Sequence, residues 1–148
     1  MVLDFRLLPE VGVRPPSKID HLGIAVHSIE AASVLYRDVL GLRAGGIEEI
    51  PDQKVRVAFF QIGKVRIELI EPTADDSPVA NFLAKKGSGV HHIAYRVENL
   101  PATLVALKVA GIRLIDETPR DGAHGMKIAF AHPKSTGGVL TEFCEPAR

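Results

Sequence analysis

The sequence is poor in several features that mark other classes of protein. It has one cysteine, Cys144, and no tryptophan, and aromatic residues make up 5% of its 148 residues. A single thiol cannot form a disulfide within the chain, which fits a reducing compartment and a cytoplasmic protein. Every apolar run is shorter than the roughly 18 residues of a membrane-spanning helix, so we expect no membrane partner.

The chain also lacks an excess of charge of either sign. It carries 18 basic and 18 acidic side chains, which gives a net charge of zero at pH 7. Proteins that bind nucleic acid through its phosphates present a basic surface, so we expect no nucleic-acid partner. With 46% hydrophobic and 24% charged residues, the composition is that of an ordinary globular protein. Its length suits one compact domain.

The first residues predict an arm that precedes this domain. Residues 1–17 contain Asp4, Pro9 and the pair Pro15-Pro16, and they lack the basic start and apolar core of a signal peptide. The only element expected in the arm is a short strand at residues 2–8. We assign 18–148 to a single domain, composed of module one (18–76), a linker helix (77–87) and module two (88–148).

The sequence does contain one structural unit that occurs twice. The strand-like run 19–26 returns as 90–97, and the helix-ending glycine Gly41 returns as Gly111. Ser28 and Asn99 are suited to cap the helices that follow these strands. The predicted elements are strands 18–26, 55–62, 65–70, 90–97, 112–116, 126–131 and 138–144, a strand rim within 42–54, and helices 28–40, 77–85 and 99–110. The pattern predicts an α+β fold, in which two tandem βαβββ modules form one curved mixed sheet around a metal-binding cleft.

Four ionisable side chains lie in apolar strands at matching places of the two copies. His21 and His92 are 71 residues apart, and Glu68 and Glu142 are 74 residues apart. Small residues, Gly23 and Ala94, lie on the same strand faces as the histidines and leave space beside each ring. A buried carboxylate costs several kcal/mol unless a cation, a proton or hydrogen-bond donors accompany it.

A divalent metal ion would supply that charge, and we assign His21, Glu68, His92 and Glu142 as its ligands. Mixed nitrogen and oxygen ligation suits Mn, Fe, Co, Ni or Zn and does not select among them. His91 competes with His92, but the repeat favours His92. His27, His124 and His132 have no counterpart in the other copy. Glu71 and Glu145 also repeat, and because each precedes a proline at a strand end, we expect them to be structural.

The stretches that carry the repeat and the ligands resemble the vicinal oxygen chelate superfamily, which includes glyoxalase I, extradiol dioxygenases, fosfomycin-resistance proteins and bleomycin-binding proteins. Within it they are most similar to the methylmalonyl-CoA epimerases. The resemblance covers residues 19–146. Its carrying stretches are 19–26, 55–60, 67–72, 90–94 and, most specifically, 127–140.

The resemblance implies a metal-dependent epimerase that interconverts (R)- and (S)-methylmalonyl-CoA. A divalent ion (Co, Mn, Ni or Zn) would stabilise the enolate, and two groups on opposite faces would act as acid and base. It implies that Glu142 is both a metal ligand and a base, and that Glu68 occupies a ligand position. It also implies an acyl-CoA substrate and a homodimer.

The second acid or base is less well defined by the resemblance. A relative has a glutamate on the strand that matches 55–60, where this chain has Arg56 and Val57. Glu68 is therefore the first candidate, and Glu48 and Glu49 are weaker ones. Lys134 and Ser135 are candidates for substrate binding, because their loop offers a cation, hydroxyls and backbone N–H groups; a plain hairpin turn is the alternative.

Three other functions use the same fold. A glyoxalase-type isomerase would use the same ligands with glutathione adducts. A non-haem Fe(II) extradiol dioxygenase would use two histidines and one carboxylate with open positions. A bleomycin-type binding protein would be no enzyme and would not need repeated metal ligands.

Overall fold

The computed structural model of the protein describes residues 13–147. The arm strand expected at 2–8 lies outside these residues. The strands are β1 (Lys18–Ala25), β2 (Ala44–Ile50), β3 (Val55–Ile62), β4 (Val65–Pro72), β5 (Gly89–Arg96), β6 (Arg120–Asp121), β7 (Met126–Ala131) and β8 (Thr141–Pro146). The helices are α1 (Ile29–Ser33), which continues as π-helical turns over Val34–Val39, α2 (Pro78–Lys86) and α3 (Leu100–Val109).

The eight strands form one mixed sheet that is built symmetrically from the two copies. Its strand order is β2-β3-β4-β1-β5-β8-β7-β6. The first strands of the copies, β1 and β5, pair antiparallel at the centre, and each pairs in parallel with the last strand of its own copy. The predicted α+β fold of two βαβββ modules in one curved sheet is confirmed.

Two β-bulges interrupt the central pairing, and they lie at equivalent places of the two copies. In β1 the register shifts between Ile19 and His21, so Asp20 is the additional residue. In β5 the residues that pair with Ile24 and Gly23 are Val90 and His92, so His91 is the additional residue. A bulge turns consecutive side chains toward one face of a sheet. Each ligand histidine is therefore preceded by a residue that can reach the same face.

Helices α1 and α3 cover the convex face of the sheet. Leu22, Ile24 and Val26 pack with Ile29 of α1, as strand alternation predicts for the face away from His21. Val97 and Ala129 pack in the same way with Leu100 and Leu104 of α3. The predicted caps are observed, since Ser28 accepts a hydrogen bond from the N–H of Ala31 and Asn99 accepts one from Ala102.

Helix α2 packs on the concave face and closes one end of the cleft. Val79 and Leu83 of α2 join Val57, Phe59 and Ile70 in an apolar cluster there. One end of the cleft is therefore lined by apolar side chains. No helix within residues 13–147 has the length and apolar character that crossing a membrane requires.

Two predicted strands of module two differ in the structure. Residues 112–116 form a single bridge, Leu114 to Ala131, because the N–H groups of Ile115 and Asp116 both donate to the carbonyl of Phe130. The last strand begins at Thr141 and not at Gly138, because Gly138 has φ of +88° and continues the turn. The short strand β6 lies in a stretch where a polar loop was expected.

Candidate metal centre

Strand pairing brings the four predicted ligands onto the concave face in two neighbouring rows. One row runs across the sheet as Phe130, Glu142, Ala94, His21 and Arg66. The adjacent row runs as Phe59, Glu68, Gly23 and His92. His21, Glu68, His92 and Glu142 are each 4–5% exposed. The rows are related by the internal repeat, so the centre of the site lies on the seam between β1 and β5.

Three of the four side chains converge on one point. The Nε2 atoms of His21 and His92 lie 3.1 Å apart, and their rings are almost perpendicular at 88°. Glu142 lies 3.3 Å from His21 Nε2 through Oε2 and 3.5 Å from His92 Nε2 through Oε1. Two imidazole nitrogens and a carboxylate within this range form a possible metal-binding triad.

The position of His92 depends on the glycine beside it. An ideal Cβ at Gly23 would lie 2.2 Å from Cε1 and 2.8 Å from Nε2 of His92. The imidazole therefore lies over the backbone of β1, where only glycine leaves room for it. The corresponding residue of the other copy, Ala94, is fully buried and carries a Cβ, so the two copies differ at this point.

The charges of the triad fit a cation at its centre. Glu142 Oε2 is a buried atom without a hydrogen-bond partner, which is costly for a carboxylate. Burial alone would lower the pKa of His21, but its hydrogen bond with Asp20 and the nearby negative charges of Glu142 and Glu68 raise it to about 10. Burial and the neighbouring His21 lower the pKa of His92 well below its ordinary value. Without a metal, a proton on His21 therefore balances the carboxylates.

Glu68 contacts His21 on the side of the ring that faces away from the triad. Its Oε2 lies 3.0 Å from His21 Nδ1 and accepts a hydrogen bond of 3.1 Å from Arg66 Nη2. Burial raises the pKa of Glu68, and the charge of Glu142 adds to this, while His21 and Arg66 oppose it. The structure thus brings His21, His92 and Glu142 together, and Glu68 lies next to them with its oxygen on the Nδ1 side.

The sequence analysis missed the buried charge that holds His21. Asp20 is fully buried, and its Oδ2 accepts a 2.7 Å hydrogen bond from His21 Nδ1. The same carboxylate accepts hydrogen bonds from Arg66 Nη2 at 2.9 Å and from Arg96 Nη2 at 2.7 Å. Burial alone would raise its pKa, but these partners hold that pKa well below the ordinary value. An aspartate inside an apolar strand, with arginines at 66 and 96 in neighbouring strands, was the available signal.

His91 lies behind His92 and outside the triad. Its Nδ1 is 2.9 Å from His92 Nδ1, and its ring contacts Phe82 of α2 edge-on, with centroids 5.0 Å apart. Burial lowers the pKa of His91 to about 4, so this imidazole is neutral at physiological pH. The geometry agrees with the repeat, which favours His92 over His91 as the ligand.

The second repeated glutamate pair binds the helices and not the site. Glu71 accepts a 3.0 Å hydrogen bond from the N–H of Ile29, at the start of α1. Glu145 accepts the equivalent bond, also 3.0 Å, from the N–H of Leu100 at the start of α3. These contacts agree with the structural role expected for both residues.

The remaining predicted residues lie on the borders of the cleft. Lys134 is exposed in the turn between β7 and β8, and Ser135 Oγ accepts a hydrogen bond from the N–H of Arg113. A cavity of about 330 Å³ opens beside this turn, between Pro133, Leu140 and Phe82. A second cavity of about 200 Å³ adjoins it, and both are lined by His91 and Leu140.

On the other side of the cleft, module two contacts module one. The N–H of His124 donates to Glu48 Oε2 at 3.0 Å, and the His124 ring lies edge-on to Phe59 at 4.0 Å. Glu48 thus accepts a hydrogen bond from a backbone N–H group, whereas Glu49 is exposed. Neither glutamate belongs to the triad, and His124 borders the cleft without a counterpart in the other copy.

Comparison with known proteins identifies the family. The model of the Glyoxalase/Bleomycin resistance protein/Dioxygenase superfamily matches residues 20–130. The chain is 53% identical over 130 residues to an uncharacterized protein of Bacillus subtilis, covering 88% of this chain and 93% of that protein. It is 41% identical over 127 residues to the ethylmalonyl-CoA/methylmalonyl-CoA epimerase of Cereibacter sphaeroides, covering 84% of this chain and 95% of the enzyme.

A solved structure agrees with this assignment. A variant of Streptomyces coelicolor methylmalonyl-CoA epimerase, in complex with 2-nitronate-propionyl-CoA, superposes with a TM-score of 0.86 at 38% identity. The match covers 90% of this chain and 96% of that one. The chain therefore belongs to the Glyoxalase/Bleomycin resistance protein/Dioxygenase superfamily, and within it to the methylmalonyl-CoA epimerases.

Proposed function

We propose that the protein is a metal-dependent epimerase that interconverts the (R) and (S) forms of methylmalonyl-CoA. The observation that carries this proposal is the buried Glu142 carboxylate, which has an oxygen without a hydrogen-bond partner beside two Nε2 atoms. Such a carboxylate can bind an ion and accept a proton in one place. Relatives that are named epimerases of malonyl-type CoA esters support the choice of substrate.

The reaction requires removal of the proton from C2, between the thioester and the carboxylate, and its return on the other face. His21, His92 and Glu142 would hold the divalent ion, which would be Co, Mn, Ni or Zn. When bound, the ion supplies a Lewis acid that stabilises negative charge on the substrate oxygens. Burial of all three side chains excludes water and strengthens that electrostatic effect.

Glu142 and Glu68 are the proposed acid and base. They lie on β8 and β4, on either side of the central strand pair, so they can approach a bound substrate from different directions. Burial raises the pKa of Glu68, which favours the protonated form that a general acid requires. Glu68 also remains a proposed fourth ligand, and to bind the ion its carboxylate would have to turn from His21 Nδ1 and Arg66 toward the triad.

Lys134 and Ser135 are proposed to contact the acyl-CoA substrate. Their turn contributes Pro133 and Gly138 to the lining of the cavity of about 330 Å³, and Lys134, next to Pro133, is exposed. An exposed ammonium group can neutralise a carboxylate or phosphate at the edge of the cleft. Lys134→Ala should therefore raise KM more than it lowers kcat, and Asp75→Ala, on an exposed loop of module one, is the control.

The experiment that tests the proposal is proton exchange at C2. Metal-free protein would be loaded with Co(II) or Mn(II), given (R)- or (S)-methylmalonyl-CoA in D2O, and followed by NMR. We expect deuterium uptake at C2 with loss of stereochemical purity. The exchange should be absent without metal and in Glu142→Ala. No exchange with any divalent ion would contradict the proposal.

A second variant separates the two roles of Glu68. Glutamine keeps an oxygen that can bind a metal, but it cannot accept or donate the C2 proton. Glu68→Gln therefore distinguishes a role as metal ligand from a role as acid or base. If Glu68 transfers a proton, the variant binds metal with wild-type affinity and loses exchange. If Glu68 is required as an anionic ligand, the variant loses metal affinity as well, as measured by titration with Co(II).

The assembly and compartment belong to the same proposal. We expect a homodimer in the cytoplasm, and the aliphatic side chains Val34, Leu35, Val39 and Leu40, each between 48 and 71% exposed, support a contact between copies. The single thiol, Cys144, is buried and unpaired, as a reducing compartment permits. Light scattering should give twice the chain mass of 16.0 kDa, and a monomer would contradict the dimer.

A further inference from the structure

We propose that Asp20 and His91 are a matched pair of positioning residues, which aim the Nε2 atoms of His21 and His92 at one metal. The inference rests on the proposed role of these histidines as ligands. It concerns how tightly the ion is held and not which substrate is used. Neither residue belongs to the triad. Asp20 could also form a metal site with His21 and Glu68, but both carboxylates of that group already accept hydrogen bonds from arginine, so we assign it a positioning role.

The first support is the equivalent backbone geometry of the two residues. Asp20 and His91 are 71 residues apart, as are the ligand histidines that follow them. Each is the additional residue of a β-bulge in the β1–β5 pairing, and each contacts the Nδ1 atom of its neighbour. Bulges commonly redirect side chains beside functional sites. The internal repeat therefore reproduces the bulged residue as well as the ligand histidine that follows it.

The second support is the way in which Asp20 is itself fixed. Arg66 and Arg96 come from the strands on either side of β1, and both donate to its carboxylate. The side chain cannot rotate without breaking its hydrogen bonds with both guanidinium groups. It therefore holds the His21 ring, which donates its Nδ1–H at 2.7 Å and keeps Nε2 directed at Glu142.

The third support is the equivalent arrangement around His91. Its ring lies between Phe82 of α2 and His92, with edge-to-face contacts at 5.0 and 5.2 Å between centroids. Its Nδ1 is 2.9 Å from His92 Nδ1, so a proton on His92 Nδ1 makes His91 the acceptor and frees His92 Nε2 for a metal. Ligand histidines usually donate their second N–H to such a partner, which fixes the tautomer and the ring.

Asp20 and His91 differ in charge, and this difference should affect how strongly each ligand histidine binds the metal. A carboxylate that accepts the Nδ1–H makes the imidazole a stronger electron donor than a neutral imidazole acceptor does. His21 should therefore be the stronger of the two nitrogen ligands. Loss of the Asp20 charge should lower metal affinity more than loss of the His91 acceptor.

The test measures metal affinity and histidine tautomers, and not catalysis. Variants Asp20→Asn, His91→Phe and His91→Asn would be titrated with Zn(II), and their histidine nitrogens observed by 15N NMR in the zinc-loaded protein. Phenylalanine keeps the aromatic contact with Phe82 but removes the acceptor, whereas asparagine restores an acceptor oxygen near the Nδ1 position. Glu145→Gln is the control, because it alters a carboxylate that binds the N–H of Leu100 at the start of α3 and not a ligand histidine.

We expect the Kd for Zn(II) to rise roughly 10- to 100-fold in Asp20→Asn and in His91→Phe, with the larger rise in Asp20→Asn, recovery in His91→Asn and no change in Glu145→Gln. The 15N spectrum of the wild type should show both ligand histidines protonated at Nδ1. Wild-type affinity in a folded His91→Phe, or protonation of His92 at Nε2, would overturn the inference. If Asp20→Asn does not fold, the two His91 variants still decide it. Failure of the wild type to bind zinc would instead contradict the proposed function itself.

Discussion

At the scale of single residues, Gly23 decides whether His92 can occupy its observed position. We predict that Gly23→Ala weakens metal binding roughly tenfold or more and lowers epimerase activity, because the new Cβ would overlap the imidazole. Titration with Co(II) measures the affinity, and circular dichroism checks that the variant remains folded.

The matched control for this variant is Gly89→Ala in β5. A Cβ at Gly89 would meet no atom within 4 Å, and the residue is in the strand that carries His92. Its affinity should equal that of the wild type. Equal affinities in Gly23→Ala and Gly89→Ala would show that the close packing of His92 on β1 does not matter for the metal.

The proton on His21 gives a prediction about pH. Its pKa of about 10 lies above the ordinary 6.5, so the metal-free protein holds this proton throughout the neutral range. A metal must displace it, whereas His92, with its lowered pKa, is already neutral and releases no proton when the metal binds. We expect about one proton to be released per ion bound at pH 8, and the affinity to rise with pH up to about 10. Calorimetry in buffers of different ionisation enthalpy measures the proton count, and a count of zero would contradict the electrostatic account.

Some features of single residues could be predicted from the sequence, and others could not. The repeat predicted which four side chains share the concave face, because strand alternation and the offsets determine it. It could not predict that Glu68 lies on the Nδ1 side of His21, since that depends on Arg66. Asp20 was missed because its burial becomes evident only when two arginines of other strands are seen to meet it.

At the scale of the element, the glutamates at the ends of β4 and β8 each bind the start of the helix that covers their half of the sheet. We predict that Glu145→Ala lowers the free energy of unfolding by about 1 to 3 kcal/mol, because the N–H of Leu100 loses a charged acceptor. Urea unfolding measures this loss. Metal affinity should not change, and a large loss of affinity without a loss of stability would contradict the structural role.

The elements themselves were largely predictable from local signals. Caps at Ser28 and Asn99 and the helix-ending Gly41 and Gly111 were read directly from the chain, and each marks an element boundary in the structure. The β-bulges were not predictable, because an additional residue in a strand is recognised only against its partner. Residues 112–116 were wrongly assigned to a strand, since the N–H groups of Ile115 and Asp116 share one carbonyl and only Leu114 forms a bridge.

At the scale of the whole molecule, the site exists only where the two copies meet. His21 and His92 come from the two central strands, and Glu142 comes from the strand beyond β5. Neither module alone holds both histidines. The internal repeat therefore accounts for the site as well as for the symmetry of the sheet.

The most direct test of this account is the position of the metal itself. Crystals of the zinc-loaded protein would be measured at the zinc absorption edge, and an anomalous difference map calculated. The account predicts one peak on the seam between β1 and β5, about 2.0 to 2.2 Å from Nε2 of His21, Nε2 of His92 and a carboxylate oxygen of Glu142. A peak bound to other residues, or a fully loaded protein with no peak between these three, would contradict it.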